Sequence, residues 1–332
     1  MDNNNQKKGF LAFQAGTNDK GERYAQHVEG FVVSTQYREA SGDKKQMLRM
    51  SVSIGRNPWM LLGDDEVKAE AGNQFVSEDK PFINLFVFGK KADELRDIPK
   101  KSKILFCGKA TKSSYEKDGA QRTSVSVLAD NLFVLPTKST PTNLLAKPDN
   151  QVCPTVNIYT GRNGQQVTER LVCLLSGTVK SVAPKNVVNG QSVVNFDLEI
   201  PTQAAKVHAL CQGTYQKDTD YGKYQVIRCS IWGPRADHMD KVLVNGNVLA
   251  VTGPTRSNEY KENTYINMTA RSLTVLNWAT PIDAGSAPAS ANAPTPAPSA
   301  PAAPSAPASG FGGDDDFAEL MDGFDEDGDL PF

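Results

Sequence analysis

The sequence predicts an all-β protein: two tandem five-stranded barrels, each with one short helix, then a Pro/Ala/Ser linker and an acidic C-terminal tail. Three observations predict it. Short runs rich in alternating apolar residues follow one another, separated by turn residues. The whole series occurs twice in the same order. After residue 280 the composition changes to alanine, proline and serine, and then to acid.

In the first series HVEGFVVSTQY, MLRMSVSI, FINLFVF, KILFCGKA and RTSVSVLADNLFVL read as strands. Between the third and fourth, KKADELRDI sets Ala92, Leu95 and Ile98 at helical spacing, and Pro99 ends it. Residues 57–80 form an insertion between the second and third strands. The second series is LLSGTVKSV, VVNFDLEI, YQVIRCSIWG, VLAVTGPTR and TYINMTARSLTVL. Its helix, PRADHMDKVLV, carries Pro234 near its start, where a missing N–H costs nothing.

The two series align segment by segment. Residues 48–54 match 194–200, 83–93 match 227–237, 101–108 match 246–253, and 128–135 match 269–276. Three strands, a helix and two strands in about 110 residues is the element order of the five-stranded OB barrel. An immunoglobulin-like sandwich would need about seven strands and no helix at a repeated position.

The boundaries follow from composition. Residues 1–22 read as a flexible arm, 23–136 as the first OB-fold domain and 137–168 as a connector. Residues 169–278 form the second domain, 279–313 a disordered linker and 314–332 an acidic partner-binding tail. The tail, DDDFAELMDGFDEDGDLPF, is punctuated by Phe317, Leu320, Met321, Phe324, Leu330 and Phe332. Apolar residues in an acidic tail suit capture by a basic, apolar pocket on another protein, with Asp327, Asp329, Leu330, Pro331 and Phe332 as its determinants.

Charge is divided the same way. All 36 bases precede residue 280 and ten of the 38 acids follow it, so the body carries about +8. A basic body with an acidic tail is the asymmetry of a nucleic-acid binder that also recruits protein. No apolar run approaches ~18 residues, so no membrane partner is expected. MDNNNQKKGF lacks the apolar core of a signal peptide, and a cytoplasmic location is expected. The five cysteines never fall as C-x-x-C, so neither a disulfide framework nor a zinc site is expected. His27, His208 and His238 are isolated, and no phosphate loop or nucleophile elbow occurs. The Asp64–Asp65 pair reads as solvated loop charge. Neither an enzyme nor a cofactor is expected.

Binding has more support. In FINLFVF one face carries Ile83, Leu85 and Val87, and the opposite face carries Phe82, Asn84, Phe86 and Phe88. In the repeat the core stripe is Ile227, Cys229 and Ile231, and the opposite face is Val226, Arg228, Ser230 and Trp232. Lys90 and Lys91, and Arg228 and Arg235, stand nearby. Phe86, opposite a serine, has no assigned role. The following hairpins add Lys109, Lys112, Tyr115, Lys117 and Arg122, then Arg256, Tyr260 and Lys261. Arg56 and Trp59 follow the second strand, and Tyr215, Tyr221 and Tyr224 precede the third strand of the repeat. Rings on which bases stack, interleaved with cations that track phosphate, are what a single-strand binder needs.

FINLFVFGKKAD and VIRCSIWGPRAD, the basic hairpins KATKSSYEKDGAQR and TRSNEYKENTY, and the DGDLPF end together resemble the bacterial-type single-stranded DNA-binding (SSB) proteins, in a two-barrel form. The resemblance covers residue 24 to the end. It implies base stacking by Trp59, Phe82, Phe88 and Tyr115, and by Trp232 and Tyr260 in the second barrel. Val226 stands where a ring is expected, so the second barrel grips less well or uses Tyr224. It further implies a homodimer with four barrels, a role in replication, repair and recombination, and a tail that docks replication and repair proteins. A protein–protein adaptor and a single-stranded RNA binder are the alternatives.

Overall fold

The computed structural model describes residues 11–63, 82–117, 119–137, 140–161, 163–260 and 263–279, apart from the side chains of 115, 117, 120–122 and 263. The C-terminal linker and tail, and most of the 57–80 insertion, lie outside the described residues.

The first barrel is built from β2 (Arg23–Arg38), β3 (Met47–Ser53), β4 (Phe82–Phe88), β5 (Lys103–Lys117) and β6 (Ala120–Val134). β2 pairs with β3, and β3 with β4, antiparallel. β4 runs parallel to β6, β6 pairs with β5, and β5 returns to β2, so the sheet closes. The helix α1 (Lys90–Glu94) lies between the third and fourth barrel strands. These pairings are those of an OB barrel. Val32, Met50, Leu85, Phe106 and Val127 are among the residues that fill it, all at 0–1% exposure.

The second barrel repeats the plan. β8 (Gln166–Val182), β10 (Gln191–Glu199) and β11 (Val226–Trp232) are antiparallel neighbours, with the short β9 (Asn186–Val188) hairpinned onto β10. β11 is parallel to β14 (Asn263–Thr269), which pairs with β13 (Thr255–Tyr260). β12 (Val248–Gly253) joins β15 (Ser272–Asn277) and closes onto β8. Gly89 and Gly233, one in each repeat, precede the helices with φ of 68° and 67°. That is the region where a Cβ clashes, which explains a glycine after each aromatic-ended strand.

Three features depart from the expectations. Phe13–Asn18, read as part of a flexible arm, is a strand, β1, paired with β2. Cys153–Thr160, read as connector, is β7; its Val156 and Thr155 meet Thr17 and Asn18 of β1. β1 and β7 thereby join both barrels into one continuous sheet. The second barrel also carries a helix, α2 (Ala204–Gln212), between β10 and β11, besides α3 (Pro234–Val242).

The junction between barrels is a core of its own. Tyr24, Leu105, Cys107 and Phe133 from the first barrel pack with Cys153 of β7 and with Cys173, Leu174, Ala250 and Leu276 from the second. Several polar groups buried beside it are hydrogen-bonded, although Gln26 Oε1 has no partner among the described residues. Gln26 donates to Thr155 Oγ1 and Asn157 Oδ1. The Leu174 amide donates to Thr252 Oγ1, which lies 3.1 Å from His27 Nδ1. His27 Nε2 lies 2.8 Å from Thr274 Oγ1, whose hydroxyl donates to Glu29. The donors fix the tautomer: the Nε2–H donates to Thr274 and the bare Nδ1 accepts from Thr252. Burial pushes the His27 pKa down to about 4, so the ring is neutral at pH 7.

Candidate nucleic-acid interface

The outward face of the first barrel follows from register. Ile83, Leu85 and Val87 point into the core at 0–3% exposure. Phe82 and Phe88 point out at 39% and 43%, with Asn84 and Phe86 half-buried between them. On β3 the residues opposite them are Ser53, Ser51, Arg49 and Met47. On β2 the row continues through Phe31, Ser34, Gln36 and Arg38. Phe31, 41% exposed, therefore joins Phe82 across one serine. Leu128 on β6 continues the row of Phe86 and is 45% exposed.

No outward position in these β2, β3 and β4 rows is acidic. Arg49 lies 5.9 Å over the Phe86 ring and donates to Asn84 Oδ1 from Nε and Nη2, at 3.2 and 2.9 Å. It makes no ion pair among the described residues. Phe86 thus supports a guanidinium, a role its serine counterpart could not suggest. Lys90, exposed, stands two residues beyond Phe88.

Other expected residues are placed differently. Trp59 is 3% exposed: Pro58–Leu61 is a 3-10 turn capped by Asn57 that buries the ring in the first core. As placed it offers no face to a base; Lys112 lies over it, 5.2 Å from the ring centroid. Lys109 is ion-paired with Glu22, and Arg56 lies 5.7 Å over Phe13. Arg235 is not on the outward face. It donates to the carbonyl of Arg271, and its burial lowers its pKa. Arg271 in turn donates its amide to the Thr252 carbonyl, and Thr252 Oγ1 lies 3.1 Å from His27, which places Arg235 by the junction. The Tyr115 side chain and Asp327, Asp329, Leu330, Pro331 and Phe332 lie outside the described residues.

The second barrel uses the same register with different residues. Trp232 is half-buried beside Val193 and donates from Nε1 to Ser230. Arg228 is exposed but held by Asp197, 3.1 Å from its Nε, and this partner raises its pKa. Glu199, two residues on, is 2.8 Å from Lys180. At the positions of Asp197 and Glu199 the first barrel has Ser51 and Ser53. Beyond β11 the face turns aromatic again. Tyr224 (49% exposed) meets Tyr265 (39%) edge-to-face at 6.1 Å. Arg256 and Tyr260 are exposed on β13, Tyr260 at 62%. Tyr215 stacks on Tyr221 at 5.7 Å, with Lys206 over Tyr215. Phe31, Arg49 and Tyr265 were not singled out by the sequence, because each joins the face through a neighbouring strand. Among the described residues no cluster of histidine, cysteine and acid side chains could hold a metal.

No family model matches the chain, and no curated protein matches it. Among solved structures it is similar to the wild-type single-stranded DNA binding protein from Thermus aquaticus, at 13% identity and TM-score 0.22. That match covers 82% of this chain and 96% of the other. It is also similar to the small single-stranded DNA-binding protein from Streptomyces coelicolor, at 15% identity and TM-score 0.24, over 32% of this chain and 92% of that one. The mitochondrial single-stranded DNA binding protein Rim1 from S. cerevisiae matches at 15% identity and TM-score 0.23, over 34% and 95%.

Proposed function

We propose that this protein binds single-stranded DNA without regard to sequence, coating it during replication, repair and recombination. The observation that carries the reading is the first-barrel face. Phe31, Phe82 and Phe88 are exposed, Arg49 lies among them, and no outward position in their rows is acidic. Exposed rings grouped on one face form the kind of apolar patch that marks a binding surface. Bases supply one, at about 1–3 kcal/mol per stacked ring, and every base has such a face. The cations supply the affinity for phosphate and make it salt-dependent.

The tail is read as a recruiting element for DNA-processing proteins, supported by its acidic, apolar-punctuated sequence. The assembly is read as a homodimer, supported by the resemblance to two-barrel proteins that place four barrels together. Fluorescence anisotropy with labelled oligo(dT) and oligo(U) tests the binding. The reading predicts tight oligo(dT) binding that weakens as salt rises. Equal affinity for oligo(U) would turn it toward RNA, and no binding at low salt would refute it. Removal of Asp329–Phe332 is expected to leave oligo(dT) affinity intact or raised while abolishing partner capture.

A further inference from the structure

We infer that the second barrel does not carry its strand across the face equivalent to that of the first, but on a neighbouring strip of β11, β14 and β13. Asp197 and Glu199 fence that strip on one side. The inference rests on the single-strand reading above and deepens it.

The two barrels share a register, so their faces compare position by position. In the first, β3 offers Ser51 and Ser53 beside Asn84 and Phe82. In the second, β10 offers Asp197 and Glu199 beside Arg228 and Val226. The carboxylates do two things. They occupy Arg228 and Lys180 at 3.1 and 2.8 Å, and they place negative charge where a phosphate would run. Like charges brought together are disfavoured, and a cation already paired releases fewer counterions to DNA.

One strand further, the chemistry reverses. Tyr265 on β14 has buried Ile266 as neighbour, so its own ring points outward. Its cross-strand partner on β13 is Asn258, and Asn267 pairs with Arg256. Arg228 sits level with Asn267 across the parallel β11–β14 pair. Tyr224, at the foot of β11, meets Tyr265 edge-on. Arg228 and Arg256 thus flank one row, and Tyr224 and Tyr265 form the next. A strand laid here stacks on tyrosine and stays off the carboxylates. Val226, which breaks the aromatic row on β11 itself, lies between Arg228 and Tyr224 and needs no ring on this path.

Three variants test the route, each read by anisotropy on an oligo(dT) long enough to reach both barrels. Tyr265→Ala is expected to weaken binding about fivefold or more, and Tyr265→Phe to keep it, since the ring does the work. Asp197→Ser with Glu199→Ser, which installs the first-barrel residues, is expected to tighten binding. It should also steepen the slope of log affinity against log salt by about 0.7 for each freed cation. Exposed ion pairs contribute little to folding, so the double variant is expected to fold, checked by circular dichroism. Unchanged affinity in Tyr265→Ala, with wild type binding well, would overturn the route. Unchanged or weaker affinity in the double variant would overturn the fence. Wild type that fails to bind oligo(dT) at all would refute the underlying reading itself.

Discussion

Arg49 grips the Asn84 side-chain oxygen through two nitrogens, at 2.9 and 3.2 Å, while its guanidinium rests over Phe86. The amide orients the cation without neutralising it. A carboxylate at position 84 would have done the reverse, as Asp197 does for Arg228 in the second barrel. Replacing Arg49 with glutamine is therefore expected to weaken oligo(dT) binding and flatten its salt slope by about 0.7. Asn84→Asp is expected to weaken it as well, although no cation has been removed.

The two faces of β4 separate binding from stability. Phe82→Ala and Phe88→Ala, at 39% and 43% exposed, are each expected to lose about 1–3 kcal/mol of binding with little change in unfolding midpoint. Leu85→Ala, fully buried, is expected to lose about 2–5 kcal/mol of stability instead. Urea unfolding and anisotropy on the same preparations distinguish them.

This division was legible in the alternation of FINLFVF, and the repeat made the barrel order legible too. What was not legible depended on distant pairing. FQAGTN has no clear alternation, and its partner Val156 is 139 residues from Thr17. The α2 helix had a signal, with Ala204, Val207 and Cys211 at helical spacing before Gly213, but it falls outside the segments that align between the repeats. Trp59 and Arg235 sit beside the right strands, yet a capped turn buries one and a backbone carbonyl draws the other to the junction. Spacing identifies a residue type near a face; only cross-strand register says which way it points.

Gly108 and Gly253 occupy matching places in the repeat, each where the fourth strand meets a bulge. A Cβ on Gly108 would collide with the Leu128 carbonyl, and one on Gly253 with that of Thr269. Gly108→Ala and Gly253→Ala are each expected to lower the unfolding midpoint, by roughly 1–3 kcal/mol of stability. Unchanged denaturant midpoints would show that the strands can part without cost.

The neutral His27 makes the inter-barrel junction sensitive to pH. Its pKa is about 4 when folded and near 6.5 when free. The unfolded chain therefore binds the extra proton between those values, and stability rises with pH across that window. Falling from pH 7 to 4 is expected to remove about 3 kcal/mol through this residue. Glu29 adds a contribution coupled to that of His27 through their charges. Burial, the largest single influence, works to raise its pKa, but Lys103, His27 and the Ala12 amide together more than offset this, so its share is lost as pH falls below its free value of 4.5. His27→Gln is expected to flatten the pH dependence of urea unfolding between pH 6.5 and 4.5, a change a purely steric role would not produce.

The central claim is that the ring-and-cation face of the first barrel holds single-stranded DNA. Its most direct test is the affinity of wild type and of Phe82→Ala/Phe88→Ala for oligo(dT), measured across a salt series. Wild-type affinity is expected to fall linearly on a log–log plot. The double variant should bind at least 25-fold more weakly at every salt concentration, with its slope unchanged, because rings carry stacking and not charge. Equal affinity of the two proteins, or the same weak binding in both at low salt, would contradict it.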